Sequence, residues 1–209
     1  GVVDNGSNRL DDHGDLRIIG NQSPRYRYGV NLSARWNGIG LSVFLQGVGA
    51  RDWYPGSDAG MFWGKYGRPF FALIPSIHNY TDDMYSAERN NWDTAYWPRM
   101  TTYQSNGTKN WTRLLEIPNT RYIQSAAYLR VKNIQLDYSF PKHICSAIRL
   151  QGLKIYVNAE NLFTFTPLHK YAPNFDPEGL SYDSDFASAA DGYTYPILKS
   201  VTVGVNITF

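Results

Sequence analysis

The sequence predicts an all-β fold, with several strands of an antiparallel, membrane-spanning β-barrel wall. Three observations carry this: a closing stretch that alternates strictly, a composition rich in aromatics and poor in charge, and connections that alternate short and long. In the closing stretch Val201, Val203, Val205, Ile207 and Phe209 are interleaved with Ser200, Thr202, Gly204, Asn206 and Thr208. A period of two sets every apolar side chain on one face of a strand and every small or polar one on the other.

The 209 residues include 16 Tyr, 10 Phe and 6 Trp, and only 18% are charged. A soluble domain ordinarily carries about 25% charged residues. Mean hydropathy is nevertheless −0.42. A barrel wall gives this combination, because only alternate residues must be apolar and aromatic girdles mark both interfaces. A secreted, Tyr-rich carbohydrate-binding β-domain gives it too, and composition leaves the two open. The net charge of +2 argues against a nucleic-acid binder, which needs a clustered basic face. The single cysteine, Cys145, excludes an intramolecular disulfide framework and reads as a spectator thiol in the turn-like segment 141–147. No run of about 18 apolar residues exists to cross a membrane as a helix. Gly1-Val-Val-Asp-Asn-Gly6 is no signal peptide, so any export signal is expected upstream of Gly1.

In order, residues 1–26 are polar and turn-rich. Taking Asp4 as the first position of a calcium loop puts Asn8 at the fifth and Asp15 at the twelfth. Arg9 then occupies the sixth position, where the sharp turn wants Gly, and the twelfth residue is Asp rather than a bidentate Glu. A solvated loop is the competing reading. Alternation begins at 27–36, where Tyr28, Val30, Leu32, Ala34 and Trp36 face away from Arg27, Gly29, Asn31, Ser33 and Arg35. Asn37-Gly38 is a strong signal for a tight hairpin. The strand at 39–49 follows, with Leu41, Val43 and Leu45 on one face.

Residues 50–126 show no sustained period. They hold Trp53, Trp63, Trp92, Trp97 and Trp111, and are broken by prolines 55, 69, 75, 98 and 118. So long a connection is foreign to a compact soluble domain and natural on a barrel, whose loops are long on one side. Within it 87–91 could form a short helix. The strand at 127–140 places Ile134, Leu136, Tyr138 and Phe140 on the apolar face. Strict alternation carries Arg130 and Lys132 onto that same face, where they are tolerable only above the hydrocarbon, since a mid-bilayer cation costs ~2–4 kcal/mol. After a short link, 152–164 sets Leu153, Ile155, Val157 and Ala159 against Lys154, Tyr156, Asn158 and Glu160. A second long loop, 165–196, precedes the strand at 197–209.

The links thus run short, long, short, long, and the chain's end emerges on the side of the short ones. Five strands cannot close a barrel, because known ones begin at eight. An open edge cannot be left in hydrocarbon, where each unpaired backbone group costs several kcal/mol. The chain is therefore expected to be one part of a larger wall.

The chain resembles the carboxy-terminal part of the SusC/RagA family of TonB-linked outer-membrane transporters. The blocks that carry the resemblance are Asp15-Leu-Arg-Ile-Ile-Gly-Asn-Gln-Ser-Pro-Arg-Tyr-Arg-Tyr-Gly29, Leu41-Ser-Val-Phe-Leu-Gln-Gly47 and Ala127-Tyr-Leu-Arg-Val-Lys-Asn-Ile-Gln-Leu-Asp-Tyr138. Val157-Asn-Ala-Glu-Asn-Leu-Phe-Thr-Phe165, Asp176-Pro-Glu178 and Val203-Gly-Val-Asn-Ile-Thr-Phe209 complete the set. The resemblance implies a 22-stranded, plugged barrel in a Gram-negative outer membrane, its carboxy terminus in the periplasm and 50–126 and 165–196 outside the cell. It implies a SusD-like surface lipoprotein as partner, oligosaccharides or in some members peptides as cargo, and energy from TonB. The plug and the TonB-contacting segment belong to the upstream part of such proteins and lie outside this chain. Phe209 would then be the aromatic end read during barrel assembly.

No catalytic constellation emerges, so no enzyme and no cofactor is expected. His13, His78, His143 and His169 are scattered without ligand spacing, and there is no phosphate loop or nucleophile elbow. The loop aromatics are the functional candidates. Sugar rings present C–H faces that stack on indoles and phenols, so Trp53, Trp92, Trp97 and Trp111 are candidates to line an outer vestibule or meet the lipoprotein. The competing role for each is packing within the loop or marking the membrane interface.

Overall fold

The computed structural model describes residues 6–7, 17–54, 85–96, 119–173, 175–180 and 197–209. Its centre is a five-stranded sheet with strand order β1-β2-β5-β6-β7, every neighbouring pair antiparallel. These strands are β1 (Arg25–Trp36), β2 (Ile39–Ala50), β5 (Tyr128–Ser139), β6 (Gly152–Phe165) and β7 (Ser200–Thr208). Between β2 and β5 lies a short ribbon of β3 (Asp52–Trp53) and β4 (Gln124–Ser125). Sequence neighbours in the sheet are also spatial neighbours, the meander that an up-and-down barrel wall requires.

The register aligns the two faces across all five strands. One row reads Ala34, Leu41, Leu136, Val157, Val203, and the next Leu32, Val43, Ile134, Ala159, Val201. The opposite face carries Ser33, Ser42, Gln135, Asn158, Thr202 and, one row on, Arg35, Gly40, Asp137, Tyr156, Gly204. Each row matches like with like, as it must when one face meets hydrocarbon and a slip of one residue would invert it. The apolar face is left uncovered: Leu136 is 53% exposed and Val203 73%. Among the described residues no second sheet or helix layer packs upon it.

Aromatic side chains bound this face at both ends. Trp36 and Tyr138 stand at the hairpin end; Tyr28, Phe163 and Phe165 stand at the loop end. Tyr28 and Trp36 are eight residues apart on one strand. At ~3.4 Å per residue and a tilt of ~40°, that is about 20 Å of height, close to the ~25 Å apolar band of an outer-membrane barrel.

The link from β1 to β2 is the two-residue turn at Asn37 (φ 51°) and Gly38 (φ 88°). Positive φ at both central residues is the signature of the I′ turn that matches strand twist. The link from β5 to β6 contains the short helix α1 (Lys142–Ala147), with Cys145 buried and its Sγ 3.7 Å from the Phe140 carbonyl oxygen. This corrects the turn expected there: Pro141 starts the helix at its fixed φ, and six residues suffice to bury the thiol. Residues 87–90 form a hydrogen-bonded turn, Asn90 N–H to Ser86 O at 2.9 Å, in place of the expected helix.

The expectation for Arg130 and Lys132 is overturned. The β2–β5 ladder shifts register between Phe44 and Leu45, and the β5–β6 ladder between Val131 and Asn133. Against β2 the extra residue is Lys132; against β6 the surplus is on β6, where Asn161 and Leu162 stand opposite Lys132 and Asn161 takes φ 53°. A bulge resets the phase of alternation. Beyond it Val131 lies with Leu45 and Phe163 on the apolar face, and Arg130 lies with Gln46 and Thr164 on the polar one.

Candidate functional site

At the loop end the polar face stops being polar and becomes the floor of a packed cluster. Trp53, Tyr54, Tyr122, Ala126, Leu168, Ala172, Phe175 and Leu180 are buried together, with Tyr96, Ile123 and Tyr171 against them. Each of the described loop segments contributes: the ribbon supplies Trp53, the turn before β5 supplies Tyr122, and the segment after β6 supplies Leu168 to Leu180. A 3-10 helix, Pro167–Lys170, starts that last segment, capped by Thr166, whose hydroxyl accepts from Leu168 N–H at 3.2 Å and donates to Ala127 O at 2.7 Å. Proline at the first position and a Thr cap make this start local and sequence-encoded.

The aromatic geometry is specific. Tyr96 stacks on Tyr171 with centroids 3.6 Å apart, meets Tyr122 edge-on at 5.7 Å, and Trp53 lies 5.0 Å from Phe175. Burial, with Tyr171 beside it, pushes the Tyr96 phenol up to about 12. Burial also raises Tyr54 well above the ordinary phenol range, and its hydroxyl accepts from Asn119 Nδ2 at 2.9 Å. His169 is held below its ordinary value chiefly by burial, opposed by its hydrogen bond with the Phe175 backbone and by Asp176.

Two arginines tie the cluster to the sheet. Arg51, at the end of β2, donates to the carbonyl oxygens of Gln22 (3.2 Å), Pro177 (3.0 Å) and Leu180 (2.8 Å). Arg130, 2% exposed, donates to Thr164 Oγ1 (2.9 Å), Glu178 Oε2 (2.7 Å) and Asp176 Oδ1 (2.6 Å). Lys132 shares Glu178, reaching both its oxygens at 2.8 Å. Two cations and two carboxylates neutralise one another, which is the condition for keeping such charges out of water. Nearer the hairpin end Asp137 is held by Arg35 at 3.3 Å and Lys154 at 3.2 Å, and Glu160 accepts from Ser200 at 3.1 Å.

The candidate tryptophans separate. Trp53 is 3% exposed and offers no face to a ligand, whereas Trp92 is 71% exposed. Trp92 sits on a turn fixed to the cluster through Tyr96 and through Arg121, which donates to Ala95 O at 2.9 Å. Trp97, Trp111 and the calcium candidates Asp4, Asn8 and Asp15 lie outside the described residues. Phe209 stands one residue past β7, 82% exposed. Sequence reasoning gave Arg51, Arg130, Asp176 and Glu178 no joint role. The available signal was that two cations stood out of phase in an otherwise regular strand, with an Asp-Pro-Glu turn downstream to receive them.

No family model matches the chain. It is 25% identical over 201 residues to TonB-dependent receptor P3 of Formosa agariphila, covering 93% of this chain and 17% of that protein. Receptors P26 and P39 of the same organism are 22% and 24% identical, covering 93% and 98% of this chain and 18% of each receptor. The chain thus spans less than a fifth of the curated relatives it matches. Among solved structures, the RagAB peptide transporter superposes at TM-score 0.53 and 19% identity, over 93% of this chain and 18% of that one. The RagAB peptide importer in its open-open state gives 0.52 and 18%, over 92% and 18%. At that identity the likeness is one of fold, and it is the fold of a barrel wall left open because only part of the wall is present. The registered apolar face and the aromatic borders are those of a segment of an antiparallel transmembrane β-barrel wall, and the proteins the chain is similar to are TonB-dependent receptors and the RagAB transporter.

Proposed function

We propose that this chain supplies five wall strands and the inner faces of two large outer loops to a TonB-dependent importer of oligosaccharides. The observation that carries the reading is the uncovered apolar face, aligned across five strands and bordered by aromatics, with every charged side chain of the described sheet rows on the opposite side. In a closed barrel that opposite side faces the lumen. Arg35, Asp137, Lys154 and Glu160 then line water, and the packed cluster sits at the outer mouth. The partners are the remainder of the barrel and its plug, TonB through the upstream part, and a SusD-like lipoprotein above the mouth. The carboxy terminus is periplasmic and Phe209 is the residue read during assembly.

Trp92 is the residue assigned to cargo or lipoprotein contact, because its indole is exposed while its turn is pinned by Tyr96 and Arg121. Aromatic ring pairs are worth ~0.5–1.5 kcal/mol beyond area burial; taking the same scale for a ring stacked on this indole, Trp92→Ala in the full-length receptor should weaken cargo or lipoprotein binding about 3- to 10-fold without changing the amount of folded barrel. Calorimetric titration of the purified receptor checks this. The alternative cargo is oligopeptide, favoured by the fold likeness to a structure described as a peptide importer. Growth of a deletion strain on single glycan or peptide sources decides between them. Growth unaffected on every source sinks the import reading.

A further inference from the structure

The segment after β6 does not leave the sheet: it folds back over the polar face and is held there from two directions. From one side Arg130 and Lys132 on β5 grip the carboxylates of Asp176 and Glu178. From the other Arg51, at the end of β2, grips the carbonyl oxygens of Pro177 and Leu180. The turn is closed internally by Glu178 N–H donating to Asp176 Oδ1 at 2.9 Å. Beneath it Leu168 and Phe175 are buried in the aromatic cluster. The bulge at Lys132 is what makes this possible, because it turns Arg130 to the polar face and lets Lys132 reach the same carboxylate.

We propose that residues 166–172 and 175–180 form a fixed strap across the lumen wall that sets the width of the mouth, with Arg130 as its positioning residue. The inference deepens the import reading and rests on it. A strap held by packing alone would slide, since apolar contacts have no direction. One held by two buried guanidiniums cannot lift without stranding charges out of water, which is strongly unfavourable. The strap is therefore a specificity element that stays in place, and cargo must pass beside it.

The test uses the full-length receptor in intact cells, carrying Cys145→Ala and Gln46→Cys. Gln46 is paired with Arg130 on the polar face and takes no part in the ionic network. A small membrane-impermeant maleimide and a polymer-linked maleimide are applied from outside. With the strap in place the small reagent reacts and the polymer does not. Asp176→Asn with Glu178→Gln, which keeps side-chain size and removes both charges, should raise polymer labelling at least about tenfold, the factor given by ~1.4 kcal/mol in an opening equilibrium. Heat-modifiable mobility on gels should show the barrel still folded. Glu178→Gln alone keeps the Arg130–Asp176 bond, and should fall between the parent and the double variant. A folded single or double variant with unchanged polymer-to-small labelling overturns the strap. Labelling needs no uptake, so a receptor that labels as expected yet imports nothing upholds the strap and removes the import reading alone.

Discussion

At the scale of single residues, the sheet is tightened where glycine lets an aromatic ring lie flat across it. Tyr28 covers Gly47 and reaches the Tyr128 carbonyl oxygen at 3.2 Å, and Tyr156 covers Gly204. The two sites differ in what a methyl group would meet. At Gly47 a Cβ is driven into the Tyr128 backbone carbonyl, which cannot move without breaking the ladder; at Gly204 it meets only the far end of the Tyr156 ring. Gly47→Ala should therefore cost about 1–3 kcal/mol and Gly204→Ala distinctly less. Urea unfolding of the full-length barrel in lipid vesicles compares them, and equal losses would show that ring displacement, not the backbone, dominates. None of this was legible in the sequence, where both glycines read only as small residues in phase. What they admit depends on a neighbouring strand whose register the sequence does not print.

At the scale of elements, the strands and the hairpin were readable because each is written locally. Alternation fixes a face, and Asn37-Gly38 supplies the two positive φ values a tight turn needs. The bulge was not readable, since one added residue changes neither composition nor propensity, only phase. Its effect shows in Arg130 and Lys132, which strict counting sends toward lipid. The cluster at the loop end was hidden for another reason: it joins residues more than a hundred positions apart, such as Trp53 and Phe175, with no period between them. Its 3-10 helix carries a pH response. His169 is depressed by burial, so the unfolded segment binds a proton more readily than the folded one. Stability is then full above the ordinary imidazole value of ~6.5 and declines as pH falls through it. Proteolytic nicking of the receptor near residues 166–180 should rise as pH falls below the ordinary imidazole value of ~6.5. His169→Gln should flatten that rise, and an unchanged profile in the variant would assign the response elsewhere.

At the scale of the whole molecule, the outer edges of β1 and β7 have no partner among the described strands, while the apolar face is bare. Both conditions need the rest of a barrel and a lipid surround. The 209-residue chain expressed alone should accordingly fail to stay monodisperse in plain buffer and should need detergent or vesicles. Size-exclusion chromatography with light scattering reads this, and a sharp monomeric peak without detergent would return the secreted glycan-binding domain to consideration. The membrane character was legible across the chain because every strand repeats it. Cargo identity was not, because of the four candidate tryptophans only Trp92 is exposed among the described residues, and the chain spans less than a fifth of the receptors it is similar to.

The misfit at Lys132 also bears on how such a wall tolerates change. Loss of that one codon would restore strict alternation and leave Arg130 on the polar face and Val131 on the apolar one, because the bulge only absorbs the added residue. Deleting Lys132 should therefore leave a folded, heat-modifiable receptor that has lost one of the two cations on Glu178, and a receptor that no longer folds would show that the bulge itself is required.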